Sequence, residues 1–288
     1  MAKDKQYKIV EQHLANSINL LKGHNLPSKL PQWMLNNGIV PGAEIISAID
    51  IGSNSPRNKT DVFVELKGSV PLKLSVKMVN ADYYGNWYSH KRIYEDFGPV
   101  TFNKLSKYTT DWANKIKNDP SWGNKPFVGV SLCFGKRSGK TKLGFEQIFT
   151  TQDLLTLVKG EGNGDNAANA LIITKNGDIS STVELISSLQ DITIKNILSH
   201  MDDFYIIFRP INPMTEGSNR GKNVFTRFIP NKKLSTPTTI TTMSQLNKLG
   251  TYSTVNPVLG RPKLTHNYVL DDLENNYNII IPRKSKNK

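Results

Sequence analysis

Apolar and polar positions alternate most regularly over residues 60–78. The alternation predicts two short β-strands, 60–66 and 72–78, joined by a turn. In the first strand Val62, Val64 and Leu66 share one face, and Asp61, Phe63 and Glu65 share the other. In the second, Leu72, Leu74, Val76 and Met78 oppose Lys73, Ser75 and Lys77. If the strands pair with their apolar faces inward, Asp61 and Lys77 project from one polar face. Upstream, Ile9, Val10, Leu14, Ile18 and Leu21 fall near helical spacing and predict an amphipathic helix over 6–22, ended by Gly23. A helical turn is expected at 32–37, a strand at 43–51, and a turn-rich stretch at 52–59 leading into Asp61. Downstream, helical segments are predicted at 89–97, 102–118, 151–159, 193–201 and 243–249. Strands are predicted at 126–135, 171–174, 179–181, 204–209 and 223–229. Glycine- and asparagine-rich loops fill 160–169 and 214–222, and a basic tail closes the chain. Neither a repeat nor a clear linker is visible. The expected class is mixed α/β (α+β).

Composition narrows the functional field. At 288 residues and 38% hydrophobic, the chain can bury a sizeable core. No stretch approaches the roughly 20 apolar residues that span a bilayer. The N-terminus leads into no apolar signal core, so a cytoplasmic protein is expected. Cys133 is the only cysteine, which rules out an intrachain disulfide and Cys-rich zinc sites, and its apolar strand context predicts inert core. Lys plus Arg number 37 against 24 Asp plus Glu, a net charge of +13. Such a surplus favours polyanions, nucleic acid first. The chain has no basic amphipathic helix with bulky apolar residues, so no membrane partner is expected.

Charge gives the 60–78 hairpin a chemical meaning. Hydrolysis of a phosphodiester needs a hard cation held by carboxylate oxygen, and a lysine to orient water or offset charge on the phosphate. Asp61 and Lys77 supply these two parts. DNA contacts are expected from the amide- and cation-rich segment after Lys77, at Asn80, Asn86, His90, Lys91 and Arg92. The basic run containing Lys136, Arg137 and Lys140 is a candidate for the DNA backbone. Gly135 and Gly139 there stand too close to form a phosphate-binding P-loop. The loop after the 204–209 strand offers Arg209, Asn219, Arg220, Lys222 and Arg227 for base and phosphate contacts.

These residues carry a resemblance. The order of a strand at 44–51, the step S-P-R-N-K-T-D, and then P-L-K-L-S-V-K resembles the PD-(D/E)xK nucleases, in particular type II restriction endonucleases of the MspI-like group. The likeness covers about residues 40–100, with a looser one at 204–230. It implies a central mixed β-sheet of the restriction-endonuclease type, flanked by helices, with additional C-terminal strands and loops. It further implies a single nuclease domain over 1–288, with a catalytic core in 1–135 and DNA recognition in 136–288. The implied activity is Mg²⁺-dependent cleavage of double-stranded DNA at a short specific sequence. A homodimer would suit a palindromic site, and a cognate DNA methyltransferase would be the system partner. Position by position, Asp61 would bind the metal and Lys77 would be the catalytic lysine. Ser75 stands where the consensus has its second carboxylate. The missing acid would then come from elsewhere: Glu95 first, completing the metal shell with Asp61, then Asp96, Glu65, Glu44 or Asp50. Two alternatives remain: a DNA-binding protein of nuclease-like fold with weak or no activity, and a structure-specific repair or resolvase nuclease.

Overall fold

The computed structural model describes residues 3–51, 58–79, 83–85, 88–135, 141–160, 164, 166–200, 204–216, 221–261 and 263–284. In chain order they form α1 (Lys3–Asn19), α2 (Gln32–Asn36), β1 (Ile45–Asp50), β2 (Val62–Leu66), β3 (Leu72–Met78), β4 (Tyr83–Gly85) and α3 (His90–Ile116). Then come β5 (Gly129–Gly135), β6 (Lys142–Gly144), α4 (Thr151–Lys159), β7 (Ala170–Thr174), α5 (Thr182–Ser188), β8 (Leu189–Gln190) and α6 (Ile194–Ser199). The chain ends with β9 (Tyr205–Pro210), β10 (Thr226–Pro230), β11 (Thr238–Thr239), α7 (Met243–Asn247), β12 (Gly250–Thr254), α8 (His266–Tyr277) and β13 (Ile279–Ile280). The class is mixed α/β. Two compact units interleave along the sequence: Met1–Tyr84 with Thr150–Asp203, and Gly85–Phe149 with Phe204–Lys288. The sequence-based division at residue 135 falls inside the second unit, at the end of β5.

The first unit is built on a mixed sheet ordered β1-β2-β3-β7-β8. β1, β2 and β3 pair antiparallel, and β3 then pairs in parallel with β7. The hairpin read from the alternation is therefore only part of the arrangement. β3 is the central strand, and its second neighbour comes from residues far downstream. This explains why Lys73 and Ser75, expected on an open polar face, are buried along with Leu72, Leu74 and Val76. Buried Lys73 is accommodated because its Nζ donates to the Gly164 carbonyl at 2.9 Å. α1 lays Val10, Leu14, Ala15 and Ile18 into a core shared with Val62, Val64, Leu74 and Val76. Ile9, read as part of that stripe, is 55% exposed. The turn after β7 runs close beneath α1. Gly177 has φ 85°, and a Cβ there would stand 2.8 Å from the Val10 carbonyl oxygen, so only glycine permits the approach.

The second unit carries an antiparallel sheet with the strand path β12-β10-β5-β9-β6. α3 covers one side of it with Phe102, Leu105, Thr109 and Ala113, all fully buried. The Ser106 hydroxyl donates to the Phe225 carbonyl at 2.7 Å and accepts from Val255 N–H at 2.9 Å. The two helical segments expected at 89–97 and 102–118 are the two halves of α3, which meet at a non-helical kink at Gly98 (φ 81°, ψ 170°), followed by Pro99. Cys133 is buried in β5, as expected. The strand expected at 179–181 is absent: Ser181 instead caps α5, its hydroxyl accepting from Glu184 N–H at 3.1 Å. β12 and α8 lie in stretches where the sequence reading placed neither. No described helix is long and apolar enough to cross a membrane.

Candidate active site

Strand register brings Asp61 and Lys77 together. Val62 pairs with Leu74, so Asp61, just ahead of β2, lies beside Ser75 on β3. The Asp61 amide donates to the Leu74 carbonyl at 2.8 Å, which continues the ladder one step past the strand end. Its carboxylate Oδ2 accepts from Val76 N–H at 2.7 Å and stands 3.5 Å from Lys77 Nζ. Among the described residues no hydrogen bond engages Oδ1. Lys77 Nζ donates to Ser75 Oγ at 3.0 Å and to the Val76 carbonyl at 2.9 Å. The pair is only partly exposed, at 17% for the lysine side chain and 26% for the aspartate. Both charged groups thus keep a route to solvent while their positions are fixed by backbone and hydroxyl partners.

A third group belongs to this end of the sheet, and the sequence reading missed it. Glu11 lies on α1, one residue past the inward-facing Val10. Its carboxyl is pushed up to about 7. Burial is the largest cause, the negative charge of Asp61 is the next, and Asp50 adds to it, while Lys77 and Lys8 pull it down. Asp50 ends β1 and pairs in register with Val62, which places it beside the Asp61 step. Glu11, Asp50, Asp61 and Lys77 therefore form one electrostatic neighbourhood within the first unit. Only the long-range packing of α1 on β1 and β2 creates it, so no local pattern in the sequence announces Glu11.

The carboxylates expected to replace the one missing at Ser75 are distributed as follows. Glu95 belongs to the second unit, on α3, 3.7 Å from Lys91. Asp96 is engaged by Arg92 at 3.2 Å. Glu65 lies four residues along the chain from Asp61, about 13 Å in extended backbone, and accepts from the Ser47 hydroxyl. Glu44 holds Lys67 at 3.2 Å, at the far end of β1. Asp50 lies in the same unit as Asp61, and Glu11 joins it there.

Hard carboxylate oxygens of Asp61, Glu11 and Asp50 are the right chemistry for Mg²⁺. Burial is the larger cause of the raised proton affinity of Glu11, and the smaller part that comes from Asp61 and Asp50 is one that a cation would relieve. No three carboxylate, imidazole or thiol groups among the described residues converge as a ready-made metal cluster. A site of so few carboxylates suits only an ion that completes its shell with water and phosphate oxygens, which is the habit of Mg²⁺.

The expected DNA contacts separate into three groups. Asn80, Asn86, Lys136, Arg137, Lys140, Asn219 and Arg220 lie outside the described residues. Lys91 is exposed beside Glu95, Arg209 and Lys222 are half-buried, and Arg227 binds Asp272 at 3.1 Å. Two expectations are corrected. His90 is 1% exposed: its Nε2 donates to the Val224 carbonyl, its Nδ1 accepts from Val258 N–H, and Phe102 and Phe225 flank the ring. Burial pushes its pKa down to about 4, so it is a neutral core histidine with no nitrogen left for DNA. Arg92 lies over the Tyr88 ring at 4.0 Å and pairs with Asp96, both with about an eighth of the side chain exposed, so its guanidinium is committed to holding α3.

Comparison with protein-family models, with curated proteins and with solved structures gave no match to this chain.

Proposed function

We propose that this chain is a Mg²⁺-dependent endonuclease that hydrolyses phosphodiester bonds of double-stranded DNA at a short specific sequence. It would be a type II restriction endonuclease whose β1-β2-β3-β7-β8 sheet is of the restriction-endonuclease type. The observation that carries this reading is the Asp61–Lys77 pair, held 3.5 Å apart on adjacent chain segments, with Glu11 and Asp50 in the same electrostatic field. When bound there, a magnesium ion would neutralise charge on the scissile phosphate and acidify a water. Asp61 presents its carboxylate with Oδ2 fixed by the Val76 N–H. Glu11 would supply the acid that the consensus expects at Ser75. Ser75 keeps a different task, accepting from Lys77 Nζ and aiming the ammonium group. Lys77 orients the attacking water and offsets negative charge as it develops on phosphorus. The net charge of +13 draws the duplex to the protein.

A second reading is supported by Ser75, which leaves the consensus carboxylate position without an acid: a DNA-binding protein of similar fold that does not cut. Incubation with plasmid DNA in Mg²⁺ and in EDTA separates the two. Discrete, metal-dependent fragments whose sequenced ends share one motif are expected. Gel shifts without fragments would favour the binder, and cleavage confined to branched DNA would favour a structure-specific nuclease. Asp61→Ala and Lys77→Ala should each abolish cleavage and leave duplex binding in EDTA largely intact. Cutting at the wild-type rate by either variant would remove this site assignment.

A further inference from the structure

The second unit holds an open groove of about 360 Å³ that none of the catalytic residues line. It lies where β10 and β12 meet the segment leading into α8. Outward positions of β10 supply Arg227 and Ile229, while Val255 and Leu264 give an apolar floor. Lys263 and Tyr268 also line a wider depression of about 740 Å³ next to it, where Arg261 and Asn267 join them. The groove is thus amphipathic, with a greasy floor, an aromatic ring 41% exposed, and cations along the rim.

The charge balance of the groove favours an anion. Two carboxylates belong to this surface, and both are engaged: Asp272 by Arg227 at 3.1 Å, and Asp271, which lines the wider depression with Arg261, by Arg283 at 2.6 Å. Arg261 and Lys263 have no acidic partner among the described residues. While Arg227 Nη2 serves Asp272, its Nε is buried with no acceptor. Its guanidinium thus keeps Arg227 against Asp272 at the edge of the groove and leaves the free cations there to Arg261 and Lys263.

We infer that this groove seats one nucleotide of a DNA strand, with its phosphate toward Arg261 and Lys263 and its base or sugar against Tyr268 and the apolar floor. A nucleotide joins an anion to a flat, largely apolar body, and the groove offers the complement of both at matching size. The DNA strand is chosen over a free nucleotide because the rim is open and continuous with the wider depression, and because the whole chain carries +13. The inference shares its polymer with the function proposed above but does not depend on catalysis.

Duplex binding should therefore be measured in EDTA, where no cutting occurs, by anisotropy of a labelled oligonucleotide over a range of salt. Arg261→Glu with Lys263→Glu is expected to weaken binding at least about tenfold and to reduce the salt slope by about two phosphate contacts. Tyr268→Ala is expected to weaken binding about tenfold with the salt slope unchanged, since it removes the surface against which the sugar packs and no charge. Circular dichroism and thermal melts confirm that the variants fold. Wild-type affinity and slope in the double variant would overturn the inference, and so would an unaltered affinity in Tyr268→Ala. A groove that responds to millimolar mononucleotide while the variants bind duplex normally would overturn the choice of a DNA strand. Loss of plasmid cleavage with EDTA binding intact would bear on the catalytic reading alone.

Discussion

Glu11 keeps its proton to about pH 7 because burial and the charges of Asp61 and Asp50 oppose its ionisation. The sign of the consequence follows from linkage. Between 4.5 and 7 the folded chain holds a proton that the unfolded chain has released. The contribution of Glu11 to stability is therefore full below pH 4.5 and is lost as pH rises through 7. Glu11→Gln is expected to raise the thermal midpoint at pH 8 in EDTA and, in the proposed reading, to lose most of the rise that Mg²⁺ would give the wild-type protein. In the proposed reading, cleavage by the wild type increases with pH through about 7, an inflection absent from the variant. His90 and His266 act in the opposite sense. Their pKa values are pushed down by burial from 6.5 to about 4 and about 3. Below pH 6.5 the unfolded chain takes up protons that the folded chain refuses, so their contribution is full above 6.5 and is lost as the pH falls toward 4. Thermal midpoints measured from pH 7 to pH 4 should fall steadily, and less so in His90→Gln if that variant retains the contacts to Val224 and Val258. At this scale Asp61 and Lys77 were legible because two alternating strands place them together by local register. Glu11 was not, since its neighbours stand about fifty positions away and only the packing of a helix brings it to them. His90 was misread because an aromatic- and cation-rich stretch looks the same whether its ring faces solvent or lies between Phe102 and Phe225.

Elements in this chain begin and end for local reasons. α4 starts at Thr150, whose side chain and that of Asp153 reciprocally satisfy each other's backbone N–H groups. Thr150→Ala should cost about 1 kcal/mol in chemical denaturation. The break in α3 has another origin. Pro99 cannot donate to the preceding turn, and Gly98 at φ 81°, ψ 170° occupies a region closed to residues with a Cβ. A Cβ at Gly98 would meet nothing within 4 Å, so the cost of Gly98→Ala is backbone strain alone, about 1–3 kcal/mol. A loss well below that range would mean that the helix straightens instead. Strand alternation and helix caps made β2, β3, α4 and β9 readable to within a residue or two. α8 escaped notice although Val269, Leu270 and Leu273 form a buried stripe, because the turn of asparagine and acidic residues around them dilutes the pattern. The strand expected at 179–181 failed because Ser181 has a stronger local use as a helix cap than as a strand residue.

At the scale of the whole molecule, the surplus of positive charge predicts that DNA affinity falls steeply with salt, measurable as a linear decline of log affinity with log salt. The two units divide the sequence into alternating pieces, so the chain passes between them three times, and local patterns could not have revealed the division. The parallel pairing of β3 with β7 has a consequence in time. Lys73 is tied to Asn169, 96 residues downstream. A chain still being synthesised therefore carries Asp61 and Lys77 long before the strand that closes the other side of β3 exists. Until then β3 is an open edge, and contacts so distant in sequence form slowly. In the proposed reading the cutting centre matures late, after most of the protein is made. A fragment ending at Phe149 should show rapid amide exchange along β3 and no cleavage, though it contains Asp61, Ser75, Lys77 and Glu11.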